Sequence, residues 1–442
     1  MSVKHSVAHL LQNRTVHRTV LENGLTVLAV NNPAADIVSG RIFIRAGGRY
    51  EPLKQAGLSH LMASVITKGT DRLSSQEIAE RIESMGASLG ADATSDYCLM
   101  SLKTVSADFA EMLKLLAELM RSPSFPEAEV ELERRLTLQG IRSMQEQPFA
   151  VANTQLRQSI YQSHPYALPS LGTEETASQI SRADLQHYHQ TYFRPDNIVI
   201  SIVGRIAPEA AVEWVDRIFG DWQPPSQEDG SWVPLPTLDL PMLTAKPERV
   251  VTVQDTQQAI VMLGYLAVSI HHPDHMALKL LNTYLGNGLS SRLFVELREK
   301  RGLAYEVSAF YPTRADVSHF VVYMGTAPDN AAIALEGLRH EVDRLRTTLL
   351  APDELQSAKN KLLGQYALGK QTNAQIAQIF GWYETLGLGI DFDEKFQQHV
   401  AEVTAEVAQE AADRYFTEPY VSLVGPAAAT ELTEKVGVSV HD

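Results

Sequence analysis

Two stretches almost half the chain apart spell the same element. "YFRPDNIVISIVGRIAPEAA" begins at Tyr192 and "YFTEPYVSLVGPAAATEL" begins at Tyr415. Each gives Tyr-Phe, a turn, an apolar strand closing on Val-Gly, and a helix-like or polar tail. In a chain of 442 residues this offset predicts a tandem duplication, each half ending on the same strand. The length alone exceeds one ordinary domain. Between the copies runs "DWQPPSQEDGSWVPLPTLDLPMLTAKPE", with Pro224, Pro225, Pro234, Pro236, Pro241 and Pro247. Proline lacks a backbone donor and breaks helix and central strand alike, so this stretch is a semi-rigid, extended linker. The expected organisation is an N-terminal half over 1–222, a linker over 223–248 and a C-terminal half over 249–442.

Within the first half, "LTVLAV" and "SGRIFIRAGG" read as strands. "GLSHLMASVI" reads as an amphipathic helix with Leu58, Leu61, Met62, Val65 and Ile66 on one stripe and Gly69 just past its end. "SSQEIAERIESMG" is a helix capped by Ser74 or Ser75 and ended by Gly86. The second half repeats the plan: strands in "RVVTVQDTQQAIVMLGYLAV", a helix opened by Asp274, a helix "SSRLFVELREKRG" closed by Gly302, and a returning strand "LAYEVSAFYP". There is no regular beta-alpha rhythm and no glycine-rich phosphate loop. The expected fold class is α+β: two similar halves, each a mostly antiparallel sheet covered by helices.

The net charge of -15 argues against nucleic acid and anionic membrane surfaces as partners. The one cysteine, Cys98, excludes an internal disulfide framework and fits a reducing, cytoplasmic compartment. No apolar run approaches the 20 residues of a membrane span. The N-terminal Lys4, Arg14 and Arg18, with no acid before Glu22, give a faint transit-peptide character. Serine-rich composition is lacking, and Val16 to Val20 already runs toward a strand, so an arm packed on the body is expected.

His60 sits on the polar side of its helix, and three and four residues later stand Ala63 and Ser64. The surrounding stretch "RAGGRYEPLKQAGLSHLMASVITKGT" resembles the signature region of the pitrilysin/insulinase family, the zinc peptidases with H-x-x-E-H that include the mitochondrial processing peptidases. "SRLFVELREKRGLAY" is a second, more specific match, and the likeness spans nearly the whole chain. In that family the two histidines bind zinc and the glutamate activates its water; one helical turn brings the three together. The resemblance places His60 at the first ligand, Ala63 at the base and Ser64 at the second ligand. Aligning "ERRLTLQGIRSM" on Ile141-Arg142 puts Gly140 in the slot of the third ligand, a glutamate. One imidazole does not hold a catalytic zinc, and no carboxylate remains to deprotonate water. The expectation is no metal and no cofactor in this chain.

The resemblance also implies a retained pair. An arginine and a tyrosine at the spacing R-x-x-x-x-x-x-Y contact the substrate backbone in the family, and Arg298 and Tyr305 occupy those places. Both are donors suited to a carbonyl gaining negative charge. An arginine at a helix C-terminus is also a good dipole partner, and a tyrosine opening a strand is ordinary packing. Two further clusters invite a metal reading that their context does not support. In "HHPDH", His271, His272 and His275 lie on a loop entering a helix. In "HYH", His187 and His189 diverge on a helix opened by Ser181. The turn "YLGNGLSSR" lacks the long glycine-rich loop of the non-catalytic mitochondrial processing subunit. The resulting expectation is a substrate-orienting subunit of a two-chain peptidase that is inactive alone. Its partner is a homologous chain carrying H-x-x-E-H and zinc, its substrates are unfolded peptides, and in isolation the chain is compatible with a homodimer. The alternative is a structural or assembly subunit with no peptidase role.

Overall fold

The computed structural model describes residues 15–436. Lys4 and Arg14 of the basic N-terminus lie outside the described residues. Arg18 lies on the first strand and pairs with Glu384 at 2.8 Å.

Eleven strands form two sheets among the described residues. The first contains β1 (His17–Val20), β2 (Thr26–Asn31), β3 (Ile37–Ile44), β4 (Ser88–Ala93), β5 (Cys98–Val105) and β6 (Ile198–Gly204), in the order β1-β2-β6-β3-β5-β4. The second contains β7 (Arg249–Val253), β8 (Ala259–Ala267), β9 (Ala304–Phe310), β10 (Ser318–Thr326) and β11 (Tyr420–Gly425), in the order β7-β11-β8-β10-β9. Without β1 the two orders are the same. The duplicated Val-Gly strands are β6 and β11. Each lies parallel to the leading strand of its half and antiparallel to the next. All other pairings are antiparallel. A parallel pair needs a long crossover; here the crossover is most of a half, which is why the echo closes each half. The fold is α+β as the pattern implied. Residues 221–248 hold neither helix nor strand, only an isolated bridge between Ser226 and Trp232.

The central strands are buried along both faces. Every residue of β6 and β10 is buried, so neither shows the simple alternation of a half-exposed sheet. Their side chains instead divide by parity between two cores. In the first sheet Val27, Ala29, Ile42, Ile44, Ile200 and Ile202 pack under the half's own helices. Their neighbours Leu28, Val30, Phe43, Val199 and Val203 face the other way and join the core of the second half.

The halves exchange a helix to cover those outer faces. The helix Asn373–Thr385, from the C-terminal half, lies on β3 and β6. Ile376, Ala377 and Phe380 share a core with Phe43 and Val199. An ideal Cβ on its Gly381 would stand 2.3 Å from the Phe43 ring, so only glycine lets helix and sheet approach this closely. Asn373 donates to the Ile37 carbonyl at 3.0 Å, and Arg45 donates to the Thr385 carbonyl at 3.1 Å. Reciprocally, the helix Pro148–Tyr161 of the first half lies on β8 and β11, burying Leu156 and Ile160 against Ile260 and Met262. Each fully buried side chain of this kind contributes roughly 1.5–3 kcal/mol.

Candidate functional site

The His60 helix, Leu58–Val65, is buried on most sides. All five stripe residues are in the core. Its N-terminal amides are met by Glu51, which the sequence reading passed over. The Glu51 carboxylate accepts from the Gly57 N–H at 2.8 Å and the Ser59 N–H at 2.7 Å, and also from the Ser59 hydroxyl. This satisfies donors that a helix start leaves open and opposes its dipole. Burial pushes the Glu51 carboxyl up to about 7 from 4.5, against the lowering effect of those hydrogen bonds.

A stability consequence follows from that shift. Between pH 4.5 and 7 the folded chain keeps the Glu51 proton that the unfolded chain has released. The stability contribution of neutral Glu51 is therefore complete below pH 4.5, declines as pH rises to about 7, and is flat above. Glu51→Gln removes this component. Denaturant titrations are expected to show the variant gaining on the wild type across that window, by on the order of 3 kcal/mol in total. A difference independent of pH contradicts the assignment.

The positions that the resemblance aligns with zinc ligands hold no ligand set among the described residues. Burial lowers the pKa of His60, partly opposed by Asp92 and Glu133, so its half-buried ring is neutral at physiological pH. Ala63 is 7% exposed and carries no donor. The Ser64 hydroxyl donates back to the His60 carbonyl at 3.1 Å, an in-helix bond, and a neutral serine hydroxyl is not among the usual zinc ligands. The Gly140 helix, Glu127–Gln145, packs alongside, held at one end by Lys68 to Glu133 at 2.9 Å. A Cβ on Gly140 would sit 3.4 Å from Leu171 Cδ1. Leu171 and Ile141, together with Met144, Val151 and Pro169, line a mostly apolar cavity of about 280 Å³. Among the described residues no three His, Cys, Asp or Glu side chains gather where a metal would be held. A catalytic zinc needs about three such ligands, so the residues present do not fit that ion.

Arg298 and Tyr305 lie on either side of one turn. The expected helix there is a π-helix over Phe294–Lys300 rather than an α-helix. Such wide turns recur at functional sites. Gly302, with φ 63°, reverses the chain, and its N–H bonds the Arg298 carbonyl at 3.1 Å. Leu303 N–H bonds the Leu297 carbonyl at 2.9 Å and leads into β9. Both side chains are exposed, Tyr305 to 61%. Of the nearby cations, Arg292 pairs with Glu296 and Glu341 and Lys300 pairs with Glu296, whereas Arg301 has no ion pair among the described residues. Arg298 has no carboxylate among the described residues and only rests on the Phe294 ring at 5.0 Å. Among the described residues no hydrogen bond links Arg298 or Tyr305 to the His60 or Gly140 helices.

The other histidine clusters disperse. His275 Nδ1 lies 3.0 Å from the Tyr311 hydroxyl, which itself donates to the Val268 carbonyl, so the imidazole N–H is the donor. His271 and His272 stay on the surface. Asp274 does not cap the following helix with its side chain, contrary to expectation. Its carboxylate is taken by Arg414 and the Tyr415 hydroxyl. His189 is buried and donates to the Met120 carbonyl at 2.7 Å, while His187 is exposed. Ser181 and Ser74 do cap their helices, each in a reciprocal box.

Two family profiles match the chain: insulinase (peptidase family M16) over residues 26–174, and peptidase M16 inactive domain over residues 179–362. Together they span about three-quarters of the sequence, and the chain belongs to this family. Its similar proteins include the uncharacterized zinc protease YmxG of Bacillus subtilis, 28% identical over 93% of this chain and 98% of that protein. An uncharacterized zinc protease of Rickettsia felis is 25% identical over 92% of this chain and 96% of that one. A crystal structure of a peptidase M16 inactive domain from Pseudomonas fluorescens superposes with a TM-score of 0.86 at 24% identity, covering 93% of this chain and 98% of that chain. A protease from Helicobacter pylori gives 0.87 at 22% identity, covering 93% of this chain and 100% of that chain. These superpositions establish the two-half fold.

Proposed function

We propose that this chain is the non-catalytic, substrate-orienting subunit of a two-chain zinc peptidase acting on unfolded peptides in the cytoplasm. The observation that carries the reading is a contrast within one molecule. Chemistry is gone from Ala63, Ser64 and Gly140, whereas Arg298 and Tyr305 stand exposed, and Arg298 lacks a carboxylate partner. An arginine free of internal ion pairs is available to a peptide carbonyl; a paired one is not. In this reading a homologous subunit carrying H-x-x-E-H supplies zinc, water and base. Arg298 and Tyr305 hold the peptide backbone and stabilise negative charge on the scissile carbonyl.

The test is reconstitution with a homologous chain that retains H-x-x-E-H, followed with an internally quenched unfolded peptide. This chain alone is expected to cleave nothing, and the mixture is expected to exceed the partner alone by at least about tenfold, the effect of one well-placed catalytic contribution. A stable complex whose rate matches that of the partner alone would replace this reading with a structural or assembly role.

A further inference from the structure

The C-terminal half contains a second cavity that the peptidase reading does not use. It is about 400 Å³ in volume, within the range of small-molecule sites. It lies where the degenerate site lies in the other half. The helix His275–Gly286 follows β8 as the His60 helix follows β3. The helix Pro352–Leu368 immediately precedes the exchanged helix, as the Gly140 helix does in the first half. These two helices pack together and form two of the cavity's walls.

The walls differ in chemistry. His275, Lys279 and Asn282 present one polar face of their helix, at spacings of four and three residues. Opposite them are Ile379, Trp382 and Phe396. Lys279 Nζ reaches only neutral oxygens, the Tyr311 carbonyl at 3.4 Å and the Thr313 hydroxyl at 3.3 Å. No carboxylate pairs with it among the described residues, although the chain carries 53 acids against 38 bases. Burial lowers its pKa, the signature of an ammonium group short of compensating charge. His275 offers no alternative cation, since burial brings its pKa down to about 3. An ammonium group without a counter-charge, in the lining of a cavity with an aromatic wall, calls for an anionic ligand with an apolar part.

We propose that this cavity binds a carboxylate that carries an apolar side chain, either the C-terminal residue of a peptide or a free N-acyl amino acid. The carboxylate meets Lys279, and the side chain lies against Trp382 and Phe396. The site is complete within one chain and does not depend on a peptidase partner.

The test uses the isolated full-length chain, calorimetry and tryptophan fluorescence. The probes are N-acetyl-L-phenylalanine, its amide, and an unfolded pentapeptide ending in phenylalanine, as free acid and as C-terminal amide. The free acids are expected to bind at millimolar concentration or below, and the amides at least tenfold more weakly. Lys279→Met is expected to lose at least tenfold in affinity for the acids, and Lys279→Arg to retain most of it. Trp382→Phe is expected to remove the fluorescence change and keep the heat of binding. Tighter binding of the peptide acid identifies a chain terminus as the occupant; equal binding identifies the free N-acyl acid. The proposal is overturned if no acid binds at millimolar concentration. It is also overturned if acid and amide bind equally, a comparison that needs no variant, or if Lys279→Met binds as the wild type does.

Discussion

Arg298→Ala is expected to lower kcat/KM of the reconstituted two-chain peptidase by about 100-fold or more. Loss of one preorganised donor to a developing oxyanion costs on the order of 10²–10³ in rate. Three features suit Arg298 to such a role. It lies on a widened helical turn, its carbonyl is fixed by the Gly302 N–H, and its guanidinium is held only by the Phe294 ring. Tyr305→Phe removes a neutral donor and keeps the ring, so a smaller loss of about tenfold is expected. Lys300→Ala is the control: Lys300 pairs with Glu296, and its exposed ion pair is worth little. The loss should fall on kcat as much as on kcat/KM if the contact is made chiefly in the transition state. Equal rates for Arg298→Ala and wild type, with the complex intact, would remove Arg298 from the site.

The second large effect is on stability. Gly381→Ala is expected to destabilise the chain by about 3 kcal/mol, the upper range for overpacking a filled core. The new methyl would stand 2.3 Å from Phe43 Cε2 and 3.0 Å from Ser201 Cβ, and Phe43 is fully buried. The cost arises where the exchanged helix rests on the first sheet, so both halves are loosened at once. Phe43→Leu in the same chain is expected to recover part of the loss, because residues in contact couple by 0.5–3 kcal/mol. Gly364→Ala is the contrast. Gly364 also lies within a helix, but nothing stands within 4 Å of an added Cβ, and the change should stabilise by up to about 1 kcal/mol. Chemical denaturation of the three variants and the wild type measures these differences. A Gly381→Ala chain as stable as the wild type would mean that helix and sheet are not so closely packed in solution.

The duplication was legible because a strand ending in Val-Gly recurs at a fixed offset, and its meaning is now physical. It is the strand that closes each sheet beside the leading one. The helix exchange was not legible. Apolar residues on both faces of "NIVISIVG" announce burial on two sides, but nothing in such a run says which helix supplies the second cover. Zinc chemistry admits few residue types, so Ala63, Ser64 and Gly140 are informative one at a time. Glu51 was not, since its role depends on the helix start folding back over it. Lys279 was equally silent, because its lack of a counter-charge is visible only once the surrounding helices have packed. The π-turn beneath Arg298 left no signature that periodicity detects.

Zinc content of the isolated chain, purified without any homologous subunit and measured by elemental mass spectrometry, tests the central claim most directly. One imidazole beside a serine turned back on its own helix gives a bound fraction far below one atom per chain, and no peptide cleavage for a chelator to abolish. One tightly held zinc per chain, together with chelator-sensitive cleavage by the chain alone, would contradict this account.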